Sequence, residues 1–250
     1  MSAEEGRDSD QLDVLRTEQE HHPHHARGDV GGRYEHDEVE HLKAAERARQ
    51  ETSITEDAGP VLIVVMGVSG CGKSTLGSAL AHAFGIPFVD ADELHPQSNI
   101  DKMSAGIPLT DADRHPWLES VRAEAVRTVE EQTHSQSQQD GQGLRGVVVG
   151  CSALKRSYRD TLRGYSTDTP PTKLPTYFVH ISGSREALLE RMQNRKGHFM
   201  KAGMLDSQLD TLEPPGETGE PNVVTVELEQ SVEEQIAQAK DGLRGLGLKV

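Results

Sequence analysis

The chain has 250 residues with 26 Lys and Arg against 41 Asp and Glu, a formal net charge of −15, and 16 of the acidic but only 7 of the basic residues precede Pro60. The remainder of the chain, from Pro60 on, is therefore only mildly acidic and offers no basic face to a nucleic-acid backbone, which excludes duplex-binding functions. Two lone cysteines, Cys71 and Cys151, make neither a disulfide framework nor a metal quartet, and no apolar run reaches the ~20 residues of a membrane span, so a reducing, cytoplasmic setting without membrane contact is expected.

Residues 1–59 are rich in Glu, Asp, Arg, Gln and His, with scattered aliphatics and one aromatic, Tyr34. Such a segment buries too little apolar surface to offset its ordering entropy, and a disordered, acidic, His-rich extension is expected. Its start, Met1-Ser2-Ala3-Glu4-Glu5, has no apolar core behind a basic stretch and so does not read as a leader. A short helix over 39–49 has only a thin apolar stripe. His21, His22, His24 and His25 flank Pro23, but no Cys or carboxylate completes a coordination spacing, so they read as a solvated polar tail.

From residue 60 to 250 a single folded domain is expected, because short β-branched runs now alternate with helical patterns. Strands are predicted over 61–66, 87–90, 147–149, 177–181 and 223–226, and their continuous apolar character implies cover on both faces. Helices are predicted over 74–84, where Leu76, Leu80 and Phe84 recur every four residues before Gly85, and over 117–131 and 185–193. The alternation predicts a parallel, doubly wound α/β sheet. The polar stretch 132–143 and the Thr- and Pro-rich stretch 164–175 read as mobile surface loops.

The first strand runs into Gly67-Val68-Ser69-Gly70-Cys71-Gly72-Lys73-Ser74, which fits the phosphate-loop pattern G-x-x-x-x-G-K-[ST] in its required place between a strand and a helix. The glycines let successive backbone N–H groups turn inward onto phosphate oxygens, and the helix N-terminus adds a favourable dipole. Lys73 is expected on the β and γ phosphates of a nucleoside triphosphate, and the Ser74 hydroxyl on Mg²⁺ with Thr75 beside it. Cys71 occupies a free position and reads as a small filler.

The second strand ends in Asp90-Ala91-Asp92-Glu93-Leu94-His95-Pro96. On an extended chain the two-residue spacing turns both carboxylates to one side, so Asp90 is assigned to the metal shell and Asp92 to the attacking hydroxyl. Arg114, Lys155 and Arg159 are candidate partners for an anionic acceptor, and His95, Asp111, Asp113 and Ser152 for its hydroxyls. Trp117, after Pro116, serves either as a core anchor or as a wall of the acceptor pocket. Arg191, Arg195, Lys196 and His198 bring positive charge to where the transition state gathers negative charge, with Arg195 the first choice of arginine finger.

Four blocks in order carry a resemblance: Asp90 to Pro96 with Asn99, Lys102-Met103, Gly106, Pro108-Leu109, Asp111 and Asp113-Arg114-His115-Pro116-Trp117-Leu118; Cys151-Ser152-Ala153-Leu154-Lys155 with Tyr158-Arg159-Asp160; Arg195-Lys196-Gly197-His198-Phe199; and Thr211-Leu212-Glu213-Pro214. Together they resemble the gluconokinase family from about residue 61 to the C-terminus. The sequence departs from the family pattern at Leu209 and Asp210, where an aromatic and Glu are frequent.

The resemblance implies a three-layer P-loop kinase of the nucleoside-monophosphate-kinase-like fold, with a five-stranded parallel sheet, an acceptor-binding insert and a lid. It implies transfer of the ATP γ-phosphoryl group to D-gluconate, giving 6-phosphogluconate for the pentose phosphate pathway, and a homodimer. Under it, Gly67 to Thr75 with Arg191 and Arg195 bind ATP. Asp92, His95, Asp111, Arg114, Trp117, Ser152, Lys155, Arg159 and His198 face gluconate, and Lys73, Asp92 and Arg195 are catalytic. A shikimate-type or nucleotide kinase shares the fold but not the acceptor block, and a nucleotide-binding module without turnover would have lost one of Lys73, Ser74, Asp92 or Arg195.

Overall fold

Six consecutive apolar residues cannot turn one face to water, and β1 (Val61–Met66) is buried at every position. Val61, Ile63 and Val65 enter one apolar cluster while Leu62, Val64 and Met66 enter a second on the opposite side. The computed structural model describes residues 59–136, 144–165, 174–194 and 202–249. Residues 1–58, with the 39–49 stretch and the histidines, lie outside the described residues.

Around β1 stand β2 (Phe88–Asp90), β3 (Gly146–Gly150), β4 (Thr176–Ser182) and β5 (Val223–Glu227), in the spatial order β2-β3-β1-β4-β5. Every pairing is parallel, as the two-faced burial predicted. The order reverses beside β1, and it is beyond the C-terminal strand ends at such a point that open α/β sheets hold ligands.

The connecting helices are α1 (Lys73–Phe84), α2 (Gln97–Ser104), α3 (Asp111–Gln136), α4 (Arg156–Arg163), α5 (Arg185–Asn194), α6 (Ala202–Thr211), α7 (Pro215–Thr218) and α8 (Val232–Gly245). Leu76, Leu80 and Phe84 of α1 pack with Ile236, Ala239 and Leu243 of α8 over one sheet face, joined by Leu188 of α5 and Leu205 of α6. Trp117, Leu118, Val121 and Ala125 of α3 cover the other face with Tyr158 and Leu162 of α4. The result is a three-layer α/β/α domain. Gly77 lets α1 press onto the edge strand, because a Cβ there would stand 2.5 Å from Cε2 of Phe88.

Both boundaries of α3 differ from the sequence-based expectation for local reasons. α3 starts at Asp111 rather than Trp117 because Thr110 and Asp113 form a reciprocal cap: the Asp113 carboxylate accepts the Thr110 N–H at 2.9 Å, and the Thr110 hydroxyl accepts the Asp113 N–H at 3.3 Å. Pro116 is therefore inside the helix. At its far end α3 runs on through Gln136, so 132–136 is not loop. Gln132 brackets the first residue of β3, donating to the Gly146 carbonyl at 2.7 Å and accepting the Gly146 N–H at 3.0 Å. Residues 137–143 and 166–173 of the two expected loops lie outside the described residues.

Among the helices that the apolar periodicity does not predict, α8 carries a readable signal. Ser231 and Glu234 form a capping box, each side chain meeting the other's backbone N–H.

Candidate active site

The phosphate loop is shaped by backbone that only glycine adopts cheaply. Gly67, Gly70 and Gly72 have φ of 144°, 80° and 103°, and a Cβ on Gly67 would sit 2.8 Å from Cys71 Sγ and 3.0 Å from the Ile181 carbonyl. Lys73 opens α1 and donates from Nζ to the Val68 carbonyl at 3.2 Å, folded back over the loop it serves. Cys71 and Cys151 are buried, burial raises the Cys71 thiol above its ordinary pKa and pushes Cys151 up to about 12, and neither is a thiolate at neutral pH. The filler reading of Cys71 fits this burial.

α5 and α6 meet the same loop from outside. Met192 packs over Gly70 and the Arg191 guanidinium lies beside Gly72 while donating to the Leu228 carbonyl. The Ser69 N–H donates to Oε1 of Gln208 at 2.7 Å. Arg191 is thus placed beside the phosphate loop. Gln208 is invisible to sequence reasoning, because nothing in a helical sequence marks a residue whose partner is 139 positions away.

At the tip of β2 the chain does not stay extended. Residues Ala91–Leu94 wind into a 3-10 turn, and Asp90 is its N-cap. One Asp90 oxygen accepts the Asp92 N–H at 3.0 Å and the other accepts the Ser74 hydroxyl at 2.8 Å. The same-side placement expected from strand spacing is corrected accordingly: it is a capped turn, held to the phosphate loop by Ser74, that positions Asp92. Lys73, Asp92 and Asp90 all bear electrostatically on the buried Cys151 thiol, so the three charges gather around one strand end.

Behind Asp92 the His95 ring stacks on Trp117, centroids 4.0 Å apart and planes 15° from parallel. Trp117 is 2 % exposed and donates its indole N–H to the Ala91 carbonyl at 2.8 Å. It is the core anchor of the two alternatives, and it backs His95 rather than facing a ligand. Asn99 Nδ2 donates to the Asp113 carbonyl at 3.0 Å, which orients its amide, and lies 3.3 Å from His95 Nδ1. That nitrogen then accepts, and the ring proton sits on Nε2. Desolvation lowers the His95 pKa below its ordinary value and keeps the ring neutral.

The acceptor-side cations converge on Tyr158, a residue absent from the sequence-based site assignment. Arg114 and Lys155 lie 5.8 and 5.5 Å from its ring centroid. Lys155 Nζ donates to both Asp111 oxygens at 2.8 Å, the Tyr158 hydroxyl donates to Asp111, and Arg114 donates to the Leu109 carbonyl at 2.7 Å. The hydrogen bond from Lys155, then that from Tyr158, hold the Asp111 carboxyl below its usual pKa range. The spacing of Lys155 and Tyr158, three apart at the head of α4, was the available signal. Ser152 joins the two sites through its backbone, its carbonyl accepting the Gly67 N–H at 3.3 Å. Asp113 is spent on the α3 cap and on Lys102, 2.6 Å away.

Arg159 is a correction. It is completely buried, and its five N–H donors meet five acceptors: Glu220 twice, and the carbonyls of Ala153, Leu154 and Glu213. No donor remains for a ligand. The fork instead clamps Ala153, a non-glycine residue at φ 46°, and so holds the turn between Ser152 and Lys155. Arg195, Lys196 and His198 lie outside the described residues. Among the described residues, no cluster of three or more His, Cys, Asp or Glu side chains is arranged to hold a metal, and no helix is long and apolar enough to cross a membrane.

Residues 63–209 match a family model described as an AAA domain. The gluconokinase of Gluconobacter oxydans (strain 621H) is 47 % identical over 158 residues, covering 63 % of this chain and 78 % of its own. The thermosensitive gluconokinase of Escherichia coli (strain K12) is 39 % identical over 184 residues, covering 72 % and 88 %. The crystal structure of a gluconokinase from Sinorhizobium meliloti 1021 superposes with a TM-score of 0.59 at 45 % identity, over 75 % of this chain and 93 % of that one.

Proposed function

This chain belongs to the gluconokinase family and phosphorylates D-gluconate with ATP, and from that premise we propose how its cleft divides the work. The amides of Gly70, Gly72, Lys73 and Ser74 and the Lys73 ammonium hold the triphosphate, with Arg191 at its edge, while the Gly67 and Ser69 amides are taken by Ser152 and Gln208. Ser74 and Asp90 supply hard oxygens of the kind Mg²⁺ takes alongside phosphate oxygens and water. The metal, when bound with ATP, neutralises charge on the β and γ phosphates. Asp92 accepts the proton of the gluconate primary hydroxyl as its oxygen attacks the γ-phosphorus, giving 6-phospho-D-gluconate and ADP.

His95 offers its Nε2–H to an acceptor oxygen, and Arg114 and Lys155 draw in the gluconate carboxylate. Asp111 and Ser152 serve the remaining hydroxyls. Arg195 and His198 take the finger and lid roles on the strength of the sequence pattern. A cytoplasmic homodimer is the assembly that the family resemblance favours.

The observation that carries this reading is the single carboxylate of Asp90 gripping Ser74 on one side and the Asp92 amide on the other. It ties the nucleotide and acceptor halves of the reaction at hydrogen-bond length. An assay of ADP release with gluconate, shikimate and AMP as acceptors tests it, and release only with gluconate is expected. Equal turnover of shikimate, or ATP binding without gluconate-dependent ADP release, would overturn it.

Because the composition changes at Pro60 and every residue assigned to this chemistry follows it, a protein beginning at Gly59 is expected to keep kcat and KM within about twofold. A large fall in turnover on truncation would make the tail part of the catalytic unit.

A further inference from the structure

Two of the loops that carry ligand-binding groups are held by one helix and the residues that directly follow it. The phosphate loop has left-handed glycines at Gly70 and Gly72, and its Ser69 N–H is taken at 2.7 Å by Gln208 of α6. The acceptor turn, 153–156, carries Lys155 and the left-handed Ala153. Just past the end of α6, the Glu213 N–H donates to the Leu154 carbonyl at 2.9 Å and the Glu213 carboxylate accepts the Arg156 N–H at 2.6 Å. Arg159 adds a bond to the Glu213 carbonyl at 2.9 Å.

Between these two grips α6 is anchored. Leu205 is fully buried in the core and Arg185 of α5 is bridged to Asp206 at 2.6 Å. Gln208 and Glu213 are five residues apart, so a shift of α6 moves both grips together.

We propose that α6 is a tie between the two substrate sites, with Gln208 the positioning residue at the nucleotide end and Glu213 at the acceptor end. The inference rests on the kinase reading above and adds a coupling to it. Ordering one loop by its ligand stiffens α6, so the second loop loses less freedom when its own ligand arrives. Binding of ATP therefore raises the affinity for gluconate, and gluconate raises that for ATP by the same factor. Gln208 touches no reacting atom and acts only through Ser69.

The test is calorimetric titration of D-gluconate into the full chain with Mg²⁺, with and without saturating adenylyl imidodiphosphate. In the unaltered protein the analogue is expected to tighten gluconate about three- to tenfold, the scale of one net hydrogen bond. Gln208→Met keeps the side-chain length and removes the acceptor, so the ratio falls to near one while the affinity without nucleotide is unchanged. Gln208→Glu restores an acceptor oxygen and with it the ratio, although its charge weakens nucleotide binding overall.

A Gln208→Met protein with the unaltered ratio, or an unaltered protein whose ratio is one although it turns over gluconate, overturns the tie and leaves the kinase reading intact. Absence of both gluconate binding and gluconate-dependent ADP release in the unaltered protein overturns the kinase reading, and the tie with it.

Discussion

An Asp92→Asn protein is expected to fold, bind ATP normally and lose about 10²–10⁴-fold in kcat for gluconate, the range a positioned general base supplies. The substitution is clean for a structural reason. It is the backbone N–H of Asp92, not its side chain, that Asp90 caps, so the 3-10 turn and the Ser74–Asp90 contact survive the change. The Asp92 side chain is exposed, and replacing it by its amide should alter stability by less than about 0.5 kcal/mol. Asparagine keeps the shape and can hold the hydroxyl, but it cannot take the proton. The loss should therefore fall on kcat, with KM for ATP unchanged. Turnover within a few-fold of the unaltered protein would remove Asp92 as the base and leave it an orienting group.

Arg159→Met is expected to act on stability first, lowering the free energy of unfolding by about 3 kcal/mol in denaturant titration, the cost of leaving a buried ionic partner incompletely paired. Glu220 keeps one buried cation, Arg163 at 2.9 Å, which holds the loss toward the lower end of what such networks show. At the Ala153 turn the Ala153 carbonyl also loses the Arg159 donor, and the Leu154 carbonyl keeps only the Glu213 N–H. The control is Arg185→Met, which breaks the solvent-exposed pair with Asp206 and costs about 1 kcal/mol or less. A ligand role for Arg159 makes the opposite forecast: KM for gluconate rises and the unfolding midpoint stays where it was. Unchanged stability in Arg159→Met would refute the structural assignment.

Strands were readable because burial on both faces forces an unbroken apolar run, a one-dimensional trace of a three-dimensional condition. β1 and β4 were placed to within a residue at each end. Helices were read where an apolar stripe was thick, as in α1, and overlooked where polar side chains do the work, as in α2 and α4. The Thr110–Asp113 and Ser231–Glu234 caps were open to inspection and would have fixed the starts of α3 and α8.

Residue types and short spacings alone determined the phosphate loop, the parallel sheet and the acidic acceptor block, because each is a local pattern whose physics is complete within a few neighbours. Only the tertiary structure decided which charged groups face the cleft. Arg114 and Lys155 gather at Tyr158, whereas Arg159, four residues after Lys155, turns inward to Glu220. A guanidinium serves a ligand or a buried carboxylate equally well, and the choice depends on an acceptor 61 positions along the chain that folding alone brings near.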